Sequence, residues 1–270
     1  MRVFSEVLGE YVEIPDQVER VVSLDPASTE ALFMMGLEDR IVGTDAFSYR
    51  PPQARAKRKV GSYTHVDFRL LSQLNPQLVF VTTGVQRELM KSLKEKGFRV
   101  YPIPVATSVA KIMDNILILG HVMGAREEAR ELQLRILDSL CELRGSLGGV
   151  RVYVQFDLGG PITPGFPTHV SDALRILGAL NVFDDSPEAY FTPSLLEVER
   201  RDPDVIVLEP KRADPDAASK FRDSAVRAGA PLLASKIVKV TQGDFLAHMG
   251  PSFVLEGVKW LRDALVKSSA

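Results

Sequence analysis

At 270 residues, with 45% apolar and 25% charged side chains, the chain is long enough for two lobes with cores of their own. A net charge of −2 from 33 basic and 35 acidic residues gives no electrostatic reason to expect nucleic acid, and the single cysteine excludes an internal disulfide or a cysteine-rich metal site. No apolar run approaches the roughly 18 residues of a membrane span. Met1-Arg2-Val3-Phe4 runs into the fold without the regions of a signal peptide. The expected location is therefore extracytoplasmic if a signal has been trimmed, and cytoplasmic if Met1 is the native start.

Residues 10–14 alternate and read as an edge strand before Pro15. Residues 21–24 are an apolar strand leading into Asp25-Pro26-Ala27-Ser28-Thr29-Glu30, a turn and helix start. Asp25, Ser28 or Thr29 can cap there, and the exposed amides would suit an acceptor on a ligand. Residues 41–44 form a second strand, followed by Tyr49 before Pro51-Pro52. Loops at strand C-terminal ends are where open parallel sheets place ligands. The basic run Arg55, Lys57, Arg58 and Lys59 reads as a solvated surface. Residues 60–65 make another strand-end loop, with Tyr63 and His65 on it. Residues 78–81 are a strand ending in Thr82-Thr83-Gly84, whose small side chains let a ligand approach the backbone. A helix over 89–97 and a strand over 99–105 complete this lobe.

The middle of the chain, residues 108–149, is helix, break, helix. Ser108 is a plausible cap for Ile112, Ile116, Leu119 and Met123 at helical spacing, and Gly124 stops the run. From Arg126 a second pattern places Leu132, Leu134, Leu137, Leu140, Cys141 and Leu143 in helical rows, closed by Gly145 and Gly148-Gly149. On that stripe Cys141 reads as a small buried hydrophobe.

After the helices the pattern of the first lobe returns. Residues 152–156 are a strand, 157–169 a loop with Phe166, 170–180 a helix, and Tyr190 and Phe191 lie on the next loop. Leu74-Asn75-Pro76-Gln77 before the strand over 78–81 recurs as Arg201-Asp202-Pro203-Asp204 before 205–208. Fixed-order self-similarity of this kind indicates duplicated units. The last strand is 237–240. In the final helix Trp260 joins Leu255, Val258, Leu261 and Leu265 in a row that reads as core. No Gly-rich phosphate loop or Gly-x-Ser-x-Gly appears, and none of His65, His121, His169 and His248 pair at i,i+4.

The strings Val21-Val22-Ser23-Leu24-Asp25-Pro26-Ala27-Ser28-Thr29-Glu30, Arg40-Ile41-Val42-Gly43, Leu74-Asn75-Pro76, Ile162-Thr163-Pro164-Gly165, Asn181-Val182-Phe183 and Asp202-Pro203-Asp204-Val205-Ile206-Val207 carry a resemblance. Over residues 10–266 the chain resembles the helical-backbone class of substrate-binding proteins that serve ABC importers of vitamin B12, haem and ferric siderophores. The resemblance implies an α/β fold of two Rossmann-like lobes, 1–107 and 150–270, with central, mostly parallel sheets. A long rigid helix over 108–149 joins them, and a ligand cleft lies between the lobes. It implies a monomer that binds a small molecule without catalysis and without an intrinsic cofactor or metal, with an ABC permease as partner and no nucleic acid. The ligand is a corrinoid or a related metal chelate.

Carried over position by position, Tyr63 and Tyr190 fall at cleft tryptophans of the vitamin B12 branch and Tyr49 at a cleft tyrosine. Asp244 and Phe245 fall in its late cleft loop. With Asp25, His65, Thr83 and Phe166 these make the candidate ligand contacts. Three aromatics from separate loops suit a large flat ligand. The family's docking glutamates are replaced by Arg69 and Leu196, with Glu197 one residue late. Two ligand alternatives stay open: haem with Tyr63 or His65 as axial ligand, and a ferric siderophore near Arg50, Arg69 and Arg87. From other classes, the chain reads as a cytosolic α/β enzyme with a two-lobe cleft, or as a free-metal binder using Asp25, Asp157 and Glu209.

Overall fold

Short apolar runs separated by amphipathic ones dictate alternating strands and helices. The computed structural model describes residues 1–266. They divide into two units, Met1–Ala106 with Ala110–Leu137, and Thr107–Val109 with the chain from Asp138 onward. The first begins with an antiparallel ribbon, β1 (Arg2–Ser5) and β2 (Glu10–Glu13). The alternation over 10–14 becomes β2; its partner β1 has no counterpart among the expected strands.

β3 (Val21–Ser23), α1 (Pro26–Met34), β4 (Ile41–Thr44), α2 (Phe68–Leu74), β5 (Leu78–Thr82), α3 (Arg87–Glu95) and β6 (Val100–Ile103) follow. The strands from β3 to β6 are parallel, in the order β4-β3-β5-β6. Every residue of β3, β5 and β6 is buried, which suits a parallel sheet covered on both faces. Val22, Leu24, Leu71, Val79, Val81, Leu89 and Leu93 share one core.

α4 (Val109–Met123) and α5 (Arg126–Leu143) form on either side of Gly124, as their spacing predicts. Their corner is tight. A Cβ on Gly120 would stand 2.3 Å from the Ala129 Cβ and 2.7 Å from the Ala125 carbonyl oxygen, so only glycine fits. The buried row of α5 is Ala129, Leu132, Ile136 and Leu143. Leu134 is 48% exposed, Leu137 37%, and Cys141 is exposed as well, against the expectation of a buried thiol. Nine residues at about 100° each turn Cys141 half a circle away from Leu132. Two rows, one wet and one dry, run along this helix.

The second unit holds β7 (Arg151–Asp157), β8 (Pro161–Pro164), α6 (His169–Leu177), β9 (Leu180–Asn181), β10 (Tyr190–Phe191), α7 (Leu195–Arg200), β11 (Val205–Glu209), α8 (Ala217–Arg227) and β12 (Ile237–Val240). A π-helical turn, Phe253–Gly257, leads into α9 (Val258–Val266). Its parallel strands run β9-β7-β11-β12, the same order as in the first unit. The repeat seen in the sequence is thus a repeat of topology. Two segments read as loops are strands instead. β8 pairs antiparallel with the end of β7 through Phe156↔Ile162, and β10 pairs with β8 through Tyr190↔Pro164. The alternation there is too short, and too rich in proline, to register as a strand pattern.

Each unit carries the same tie at the start of its central strand. Arg20 donates through Nη2 to the Leu74 carbonyl (2.5 Å) and through Nε to that of Asn75 (3.4 Å). Arg151 donates through Nη2 to Arg201 (2.5 Å) and through Nε to Asp202 (3.2 Å). The last carbonyls of α2 and α7 would otherwise have no partner. Asn75 (φ 45°) and Asp202 (φ 47°) hold left-handed backbone immediately before a proline, a conformation Asn and Asp tolerate better than other side chains. Asn75→Ala should lower the unfolding free energy by about 1 kcal/mol, and Asn75→Gly by less. Urea unfolding of both variants checks the order; equal losses would show that the backbone conformation is not what Asn75 supplies.

Candidate functional site

In a parallel sheet the loops that follow the strands collect at one edge. In the first unit a buried polar chain begins there at Asp25, the cap of α1. Its Oδ2 accepts from the Ser28 amide (3.0 Å) and from Ser28 Oγ (2.5 Å). Thr29 Oγ1 lies 2.8 Å from Ser23 Oγ and 2.9 Å from Ser48 Oγ. Ser48 Oγ donates to Asp45 Oδ2, and the Phe47 amide donates to Asp45 Oδ1 at 2.7 Å. Lys59 Nζ closes the chain, donating to Thr44 Oγ1 (2.8 Å), the Ser48 carbonyl (2.5 Å) and the Ala54 carbonyl (3.1 Å). This corrects the reading of the basic run as solvated: Lys59 is an internal clasp. Burial lifts the Asp45 carboxyl above its ordinary value, against the pull of Ser48 and Phe47, and depresses the Lys59 ammonium.

Gln86 is fully buried and ties three segments together. Its Oε1 accepts from the Thr82 amide (2.7 Å), and its Nε2 donates to the carbonyls of Leu24 (2.7 Å) and Tyr63 (2.6 Å). It thereby fixes the loop carrying Tyr63 to the ends of β3 and β5. Sequence reasoning passed over this residue; its only signal is a long polar side chain just after a strand-end glycine. The Tyr63 ring is half-buried, and burial, then Asp25 and Asp45, push its phenol up. Thr83 spends its hydroxyl on the Val105 amide (2.9 Å). Tyr49 is half-buried with the Arg50 and Arg55 guanidinium carbons 5.0 and 5.9 Å from its ring centre. His65 is exposed, 2.9 Å from Thr64 Oγ1. Asp25 and Tyr63 interact electrostatically, and Gln86 ties Leu24, beside Asp25, to the Tyr63 backbone.

In the second unit Glu209, the last residue of β11, is buried and accepts three successive amides. Oε2 takes Phe245 (2.9 Å) and Leu246, and Oε1 takes Ala247 (2.7 Å). Burial pushes this carboxyl up to about 7 against the three donors, with Asp244 adding to the rise. Tyr190 stands on β10 with its ring 6.3 Å from Phe156, and burial followed by Glu209 raises its phenol. Phe245 lies edge-on to Trp260 at 6.4 Å; Trp260 itself is half-buried, while its row neighbours Val258, Leu261 and Leu265 are the buried core. Phe166 is 54% exposed beneath the Arg175 guanidinium, 4.7 Å from its ring centre. Asp244 is half-buried beside Phe245. The loops after the strands also expose Phe47 and Val85 in the first unit and Leu158 in the second. Among the described residues no group of three or more His, Cys, Asp or Glu stands together as a metal site.

Residues 21–236 match the family model described as periplasmic binding protein. The vitamin B12-binding protein of Photorhabdus laumondii is 27% identical over 241 residues, 87% of this chain and 84% of that protein. Among solved structures, the periplasmic vitamin B12 binding protein BtuF of Vibrio cholerae superposes with a TM-score of 0.75 at 23% identity, over 93% of this chain and 98% of that one. An ABC-type Fe3+-hydroxamate transport system protein from Saccharomonospora viridis reaches 0.78 at 22% identity, over 98% of each. Both likenesses support an α/β fold of two lobes.

Replacing Gln86 by leucine, close in volume, strands the Thr82 amide and the carbonyls of Leu24 and Tyr63. At about 1–3 kcal/mol for each buried group left unpaired, Gln86→Leu should lose about 2 kcal/mol or more of stability. A chemical denaturation curve reads this directly, and an unchanged midpoint would show the three groups finding other partners.

Proposed function

The chain belongs to the periplasmic binding protein family, and we propose that it is the non-enzymatic solute-binding component of an ABC-type uptake system whose cargo is a corrinoid. One observation carries the choice of cargo. The titratable groups that act on the two half-buried phenols are carboxyls, Asp25 and Asp45 for Tyr63 and Glu209 for Tyr190. Phenols are protonated at neutral pH, and burial moves these two further that way, so they offer O–H donors and ring faces. A corrin periphery of neutral amides suits carboxyl and phenol neighbours. Beside Tyr63 and Tyr190 the carboxylates of haem or of an anionic siderophore would face Asp25, Asp45 and Glu209, and the nearby cations Arg50 and Arg55 are engaged on the Tyr49 ring. The relatives named for vitamin B12 point the same way.

Tyr49, Tyr63 and His65 in the first unit, and Phe166, Tyr190, Asp244 and Phe245 in the second, are the proposed contacts, with Asp25 and Thr83 behind them. On the permease side, Arg69 on α2 and Leu196 on α7 are exposed. They take the places of the family's docking glutamates, so the partner surface is one adapted to a cation and an apolar group.

The purified protein, incubated separately with cyanocobalamin, haemin and a ferric siderophore and then desalted, should retain the cobalamin spectrum at near one-to-one ratio. Retention of haemin or the siderophore instead would overturn the cargo, and retention of none would overturn the binder. Tyr63→Ala should weaken cobalamin binding roughly tenfold while leaving the melting temperature nearly unchanged, since loss of one stacked aromatic is worth about 1 kcal/mol. Normal affinity with a large drop in melting temperature would assign Tyr63 to the core.

A further inference from the structure

The segment between β12 and α9 has an unusual way of holding its shape. Its early anchor is the Thr241 amide, which donates to the Leu208 carbonyl, and Thr241 Oγ1 donates to the carbonyl of Gly243. Beyond that, the amides of Phe245, Leu246 and Ala247 all go to the Glu209 carboxyl. The carbonyl of Leu246 accepts from Nε2–H of His169, 2.8 Å away. His169 is itself fully buried at the start of α6, 4.5 Å edge-on to Phe253, with Nδ1 lacking any partner. A carbonyl accepts only, so Nε2 carries a proton, and burial depresses the ring's pKa to about 4, which leaves it neutral near pH 7. Two buried side chains from two different elements thus take both backbone groups of Leu246 and the amides on either side.

We propose that Glu209 and His169 are positioning residues which together hold the 244–247 loop, and with it Phe245, in the shape that receives the ligand. The inference rests on the reading of this loop as ligand-contacting. Three consecutive N–H groups converge on one buried carboxyl, whose burial outweighs their pull toward the ionised form. Neither residue needs to touch the ligand to govern its binding, because between them they take three consecutive amides and one carbonyl of the loop.

The groups that face Glu209 are Asp244 from the loop and Tyr190 from β10, while His248 faces His169. Opening the loop returns the Glu209 carboxyl to water, where it titrates near its ordinary value of 4.5 rather than about 7. Closure therefore takes up a proton within that window. The closed loop is favoured most below the window, and the advantage is lost as pH rises through about 7.

Trp260 is the single tryptophan of the chain and lies against Phe245, so its emission reports the loop without any ligand. In the ligand-free wild type the emission maximum should shift between about pH 5.5 and 8, and the Kd for cyanocobalamin should rise roughly tenfold over the same range. Glu209→Gln keeps the size and removes the titration, and should make both profiles flat. Glu209→Ala, which leaves all three amides without their acceptor, should bind roughly tenfold more weakly at every pH. A flat wild-type emission profile, a wild-type profile in the glutamine variant, or full affinity in the alanine variant would each overturn the proposal. Should the alanine variant fail to fold, the glutamine variant decides alone. Should the wild type bind no cyanocobalamin, the functional reading falls, and the ligand-free emission still accepts or rejects the hold of Glu209 on the loop.

Discussion

Backbone groups at the two edges of each parallel sheet have to be satisfied, and the chain does so in opposite ways. At the edge where the central strand begins, an arginine, Arg20 or Arg151, ties down the end of the helix that returns to the sheet. The strand that follows is thereby set in register: the Gln77 amide donates to the Arg20 carbonyl and the Asp204 amide to that of Arg151, each at 2.8 Å. This edge is closed by the same arginine and backbone bonds in both units. The other edge carries irregular loops and departs between the units, because its backbone groups are taken by single buried side chains of different chemistry.

Those side chains explain how a site can be both polar and firmly held. Gln86 is neutral and bonds three segments at once. Glu209 is ionisable and bonds three neighbouring amides of one loop. Buried polar groups of this kind add little net stability when paired, yet cost heavily when a partner is removed. They act as conformational constraints more than as sources of stability. Lys59 works in the same sense among Thr44, Ser48 and Ala54, which is why a lysine in a basic run is half-buried.

The parallel strands and the helices around Gly124 were legible because period and apolar runs are local properties. The duplication was legible too, since Asn75-Pro76 and Asp202-Pro203 mark the same left-handed turn in both halves. The exposed side of α5 was not. Leu134, Leu137 and Cys141 read as one stripe with Leu132 until neighbours decide which row is dry. β8 and β10 were missed because short antiparallel pairs depend on contacts distant in sequence. The aromatic candidates stand on strand-end loops and match the resemblance, whereas the hold of Gln86, Glu209 and His169 on the loops rests on partners distant in sequence. A buried hydrogen bond to a carbonyl 77 residues away, as from His169 to Leu246, has no signature in composition or spacing.

β8 and β10 extend the second sheet on the side of β7 where β9 pairs with its opposite end. Tyr190 is consequently presented by a hydrogen-bonded strand, and Tyr63 by a turn closed by the Gly61↔Val66 bridge and the Ser62 amide on the His65 carbonyl (2.8 Å), with Gln86 tying it to Leu24 and Thr82. Backbone held by a ladder or by a bridged turn has already lost most of its conformational freedom, so ordering it further costs little. The two units reach that state by different means, a strand pair in the second and a closed turn with one buried amide side chain in the first.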